Sequence, residues 1–128
     1  MQKSDLFEYA VIRVVPRVER EEFLNVGVIL LCVQQKFLRC RINVDEVRLS
    51  TLCKEFDVDE LKDHISSFTR ICEGGAESAP IGLLPLAERF RWLTATRSTV
   101  LQTSRVHPGL CTNAQETLDQ LMEQLVIP

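Results

Sequence analysis

From Glu8 to Val15 the chain is apolar at nearly every position and rich in β-branched residues, with Arg13 the one interior charge. A strand apolar on both faces belongs in the middle of a sheet. Phe23 to Val33 repeats the pattern with Gly27 inside it, and a glycine within a strand marks a bulge or a close backbone approach. Between these runs lies a knot of charge, Arg17, Glu19, Arg20, Glu21 and Glu22, which reads as a hairpin connection or as the rim of a site. After the polar turn Gln34-Gln35-Lys36 the pattern alternates. Leu38, Cys40, Ile42 and Val44 fall on one face and Arg39, Arg41 and Asn43 on the other, as in a half-buried strand. Three consecutive strands with short links predict an antiparallel meander.

The period then changes. Asp45 suits the cap of a short helix carrying Val47, Leu52, Cys53 and Phe56, and Asp57 the cap of the next. Asp59 and Glu60 sit in the first turn of that second helix, where the helix dipole favours anions. Val58, Leu61, Ile65, Phe68 and Cys72 follow at helical spacing until Gly74-Gly75. Pro85 suits the first turn of a helix through about Leu93, although Phe90 and Trp92 also alternate as in a strand. Ser98 to Ser104 reads as a fourth strand, and Asn113 with Glu116 as a capping box for a last helix with Leu118, Leu121, Met122 and Leu125 on its core face. The expectation is a single α+β domain over residues 1–128: an antiparallel sheet, made of the three-strand meander plus a fourth strand, with helices packed on one face. Its predicted core is Val14, Val28, Leu30, Leu38, Ile42, Leu61, Ile65, Phe68, Leu118, Leu121 and Leu125.

Composition narrows the class. With 128 residues, 45% hydrophobic and 26% charged, the chain can bury a core without disulfides or metal. No apolar run approaches the roughly 20 residues of a membrane span, and Met1 to Asp5 lacks the apolar stretch of a secretory signal. A cytoplasmic protein without membrane contact is expected. Five cysteines, Cys32, Cys40, Cys53, Cys72 and Cys111, are an odd number without a C-x-x-C pair, so they read as small core hydrophobes in a reducing compartment. Neither a metal site nor a cofactor is expected, and no phosphate loop, dinucleotide fingerprint or nucleophile elbow is present.

The net charge of −3 disfavours a nucleic-acid partner. Yet Arg89, Arg91, Arg97 and Arg105 occupy a stretch up to His107 with no carboxylate. A planar guanidinium suits bidentate recognition of carboxylate or phosphate. The candidate ligand-binding residues are therefore Arg13, Arg17, Arg20, Asn25, Arg97, Ser98, Gln102 and His107. Arg13 leaves an apolar strand and needs a partner or a route to solvent. Asn25 and Gly27 begin the returning strand, and His107 in a loop beside Ser104 and Arg105 is a candidate for proton transfer.

Tyr9-Ala10-Val11-Ile12-Arg13-Val14-Val15-Pro16, the run Arg20 to Val28, Arg89-Phe90-Arg91-Trp92-Leu93, Arg97-Ser98 and Gln102 together resemble a bacterial family, the domain-of-unknown-function family numbered three-zero-three-seven. The resemblance spans about residues 8 to 126 and implies no established reaction. It does imply an accessory role, since members are encoded near HipA-like kinase proteins. The stretch Ser104 to Pro108 departs from the family's proline and threonine placement, which puts a role for His107 in doubt. Two readings follow. The first is a non-catalytic binding or accessory module acting with a protein partner, such as a HipA-like kinase, or with a second copy of itself. The alternative is an enzyme or sensor for a phosphate-bearing small molecule or nucleotide, held in an arginine-lined pocket.

Overall fold

A computed structural model describes residues 3–128. The three expected strands are β1 (Asp5–Val14), β2 (Leu24–Cys32) and β3 (Phe37–Ile42), paired antiparallel in the order β3-β2-β1. Among the described residues four helices follow or flank the rest of the sheet: α1 (Glu46–Leu52), α2 (Val58–Glu73), α3 (Leu86–Leu93) and α4 (Ala114–Leu125). Each of α1, α2 and α4 starts on the expected cap. Carboxylate or amide oxygens of Asp45, Asp57 and Asn113 accept from the backbone N–H groups of Arg48, Glu60 and Glu116 at 3.0–3.1 Å. Gly74 ends α2 with φ of 81°, and its N–H donates to Arg70 O. The α+β class and its antiparallel sheet are therefore as the pattern predicts. Among the described residues no helix is long and apolar enough to cross a membrane.

The far edge of the sheet is divided. β4 (Leu101–Thr103) pairs with Ile12–Val14, while β5 (His107–Cys111) pairs with Asp5–Tyr9 in a register shifted by one. Ser104 seals the join: its N–H donates to Val11 O at 2.8 Å, and its Oγ accepts from Val11 N–H at 2.8 Å. The predicted fourth strand is thus shorter than Ser98–Ser104, and β5 was hidden by Pro108-Gly109, which read as a loop.

Helices cover both faces of the sheet rather than one. Ala10, Ile12, Val14, Leu24, Val26, Ile29 and Leu31 form a core with Leu49 of α1, Leu61 and Phe68 of α2, and Phe90 and Leu93 of α3. On the other face Phe7, Val28, Leu30 and Cys32 pack against Ala114, Leu118 and Met122 of α4. The reason lies in β1 and β2 themselves, since strands apolar on both faces need cover on both. Of the predicted core, Val14, Val28, Leu30, Leu38, Leu61, Phe68 and Leu118 are buried, whereas Ile42, Ile65, Leu121 and Leu125 are half-buried at its margins. Val47 is exposed, and Leu49 is the residue by which α1 enters the core.

Gly27 serves both purposes expected of it. The pairing of β1 with β2 slips between Ile12↔Gly27 and Arg13↔Asn25, so Val26 is an extra residue on β2. Gly27 also lies so close to β3 that a Cβ there would collide with the carbonyl oxygen of Arg41. Beyond the bulge Leu24 and Val26 turn toward α1–α3, and Asn25 turns with Arg13 to the face carrying α4.

Candidate functional site

Ile12 and Val14 point into the α1–α3 core, so Arg13 between them faces the other way, at the end of the α4 face. Its cross-strand neighbours are Asn25 on β2 and Gln102 on β4. Asn25 donates to Leu125 O at 3.3 Å, fastening the C-terminus of α4 to this row and stopping the helix short of Arg13. An open cleft of about 460 Å³ remains there, lined by Arg13, Val15, Val18, Glu21, Phe23, Thr96, Arg97, Ser98 and Gln102.

The Arg13 guanidinium lies 4.0 Å above the centroid of the Phe23 ring, a cation–π contact that leaves Phe23 46% exposed. Its Nε is buried without a hydrogen-bond partner among the described residues. Burial holds the Arg13 group below the ordinary arginine pKa, because desolvation disfavours the charged form. An anion brought to the guanidinium would favour it again.

Arg97 enters from the opposite wall. It rests 5.1 Å from the Trp92 ring centroid and donates to Trp92 O, so the end of α3 fixes its position. Gln102 donates to Thr99 O at 2.8 Å, which orders the loop before β4. The third charge of the cleft is Glu21, held at φ of 58° where the short 3-10 turn Val18–Arg20 ends. Among the described residues, no carboxylate lies within 4.0 Å of the Arg13 or Arg97 nitrogens in an ion pair.

The eight predicted residues divide. Arg13, Arg97, Ser98 and Gln102 share the cleft. Arg17 and Arg20 line a separate narrow hollow with Pro16, Glu22 and Leu52, and Arg20 pairs with Glu22. Asn25 adjoins Arg13 on the strand but is engaged with α4. His107 sits in β5 rather than a loop, opposite Tyr9, with the two rings 5.3 Å apart. Sequence reasoning missed Phe23 and Thr96, and had Glu21 only as one member of the charged knot between β1 and β2. The signal for Phe23 was its place at the mouth of the hairpin, diagonal to Arg13, legible only once the bulged register is known.

No curated protein matches the chain, and neither does any solved structure. A family model described as "Protein of unknown function (DUF3037)" matches residues 9–126, from Tyr9 in β1 to just beyond the end of α4, and the chain belongs to that family.

Proposed function

We propose that the protein is a binding module for a small phosphate- or carboxylate-bearing ligand, taken up in the cleft between Arg13 and Arg97. One observation carries this reading. A guanidinium emerging from an apolar strand has a buried, unpartnered Nε, and it shares an open cleft with a second arginine and with hydroxyl and amide donors. Two guanidinia over one opening repel each other unless a bound anion or Glu21 offsets them. Ser98 and Thr96 offer further donors to the oxygens of a tetrahedral or planar anion.

Inorganic phosphate, simple carboxylates and nucleotides at millimolar concentration are the probes. A ligand that binds only the folded state raises the melting temperature by mass action. The rise should shrink with added salt, as for any partly exposed charge pair. Arg13→Ala and Arg97→Ala should each remove the shift, and Arg17→Ala should keep it, because Arg17 lies in the other hollow. If no probe shifts the wild-type protein, the cleft reading falls.

A second reading, self-association, is favoured by a different surface. Leu6 and Leu110 are direct cross-strand partners and are 53% and 70% exposed, beside Val33. Adjacent apolar side chains open to water mark interaction surfaces. Light scattering should then give a dimer that Leu110→Glu converts to a monomer. A wild-type monomer at every concentration would exclude it.

A further inference from the structure

The cleft holding Arg13 and Arg97 is lined by apolar side chains as well as by donors. Phe23, at the end of the hairpin link, is 46% exposed even though the Arg13 guanidinium lies over its ring. Val18, which opens the 3-10 turn, is 41% exposed in the same cleft, and the buried Val15 continues that wall. Val15 N–H donates to Val100 O at 2.7 Å, so the chain just before β4 is held against the end of β1. Thr96, Arg97 and Ser98 of that segment form the polar wall. Donors and an open apolar surface therefore share one opening.

We propose that the ligand of this cleft is one anionic group carried on a flat aromatic ring, an aryl phosphate monoester or an aromatic carboxylate. Its ring lies against Phe23 and Val18, and its anionic oxygens meet the Arg13 and Arg97 guanidinia and Ser98. This rests on the anion-binding reading above and adds to it the body of the molecule.

Three observations carry the addition. The first is size. The cleft encloses about 460 Å³, within the ~300–1,000 Å³ of small-molecule sites, and a bare phosphate or acetate would leave most of it to water. The second is charge. Two arginines against the one glutamate, Glu21, leave the lining with a net charge of +1. That suits one carboxylate or one monoester, whereas a polyphosphate would crowd several negative charges around Glu21. The third is the wall itself. Exposed apolar side chains gain nothing from a small hydrated ion but are drawn out of water by a ring laid over them. Phe23 favours a flat partner in particular, since aromatic rings attract one another in offset-stacked or edge-to-face arrangements beyond what buried area supplies.

The test is isothermal titration of the full-length protein with phenyl, cyclohexyl and methyl phosphate and with inorganic phosphate, beside benzoate and acetate. Phenyl phosphate should bind about tenfold more tightly than methyl phosphate and several-fold more tightly than cyclohexyl phosphate, which is as apolar but not flat. Benzoate should exceed acetate in the same sense, and the tighter of phenyl phosphate and benzoate identifies the head group. In Phe23→Leu the phenyl ester should lose its advantage over the methyl ester, whatever becomes of the affinity for either. Leu110→Ser, at the far end of the sheet, should keep that advantage. Nuclear Overhauser contacts between the protons of bound phenyl phosphate and the Phe23 ring give a readout on wild-type protein that needs no variant to fold. Equal binding of phenyl and methyl phosphate would overturn the proposal and leave the anion site standing, as would a cyclohexyl ester as tight as the phenyl ester. Binding by none of these probes would remove the anion-binding reading together with it.

Discussion

Phe90→Ala is expected to remove about 3–5 kcal/mol of folding stability, a large share of the ~5–15 kcal/mol that holds a domain of this size. Phe90 is fully buried and the largest of the completely enclosed side chains. It projects from α3, a helix of eight residues whose buried residues are Phe90 and Leu93. So short a helix has little stability of its own and depends on the face it buries. Truncation leaves a ring-sized void among Leu61, Phe68 and the β2 side chains of the same core. The surrounding sheet and helix can collapse into such a void only in part. The damage should reach the cleft as well, because α3 also supplies Trp92, on which Arg97 rests. Urea unfolding should show a lower midpoint at an unchanged slope, and the anion-dependent melting shift should weaken with it. A loss under about 1 kcal/mol would mean that the core closes over the missing ring.

Gly27→Ala, a change of one carbon, is expected to cost about 3 kcal/mol, at the upper end of what overpacking does. The added Cβ would strike the carbonyl oxygen of Arg41 and stand 3.0 Å from Ile42 Cγ1 and 3.2 Å from Ile42 Cα. Two of these atoms are backbone in a paired strand, so no rotamer change relieves the contact. β3 must move away or β2 must give up its bulge. The second response would turn Asn25 away from Arg13, releasing the bond to Leu125 O. Thermal unfolding measures the cost, and loss of phosphate binding beyond the loss of stability would identify the second response. A melting temperature within a degree of wild type would show that β3 yields freely.

The strands of the meander and the caps of α1, α2 and α4 were legible because each rests on local signals: an apolar period, or a short polar side chain one turn ahead of an apolar face. Two-sided cover of the sheet was also legible in β1 and β2, whose apolar runs do not alternate, and placing every helix on one face contradicted that pattern. β5 was not legible. Pro108 and Gly109 are breakers locally, and His107–Cys111 becomes a strand only because β1 offers an open edge and the Phe7 ring lies over Gly109. The cleft was half legible. Arg13, Arg97, Ser98 and Gln102 stand out by charge or by hydrogen-bonding capacity, but their meeting depends on the pairing of Arg13 with Gln102, which spans most of the chain. Arg17 and Arg20 carry the same charge and go elsewhere, since the 3-10 turn directs them toward Leu52.

The break at Ser104 bears on how the protein behaves when crowded. A long regular outer strand is a template on which a foreign strand can add, the first step toward cross-β aggregates. Here that outer side consists of a three-residue piece and a five-residue piece out of register with each other. Pro108 removes one donor from the longer piece, and the Ser104 hydroxyl occupies the join. An incoming strand could match one piece but not both. The opposite outer strand, β3, carries Arg39 and Arg41, which bond to Gln115 and Asp119 of α4. Both margins of the sheet are thereby poor templates, which disfavours edge-to-edge strand addition at high concentration and during refolding.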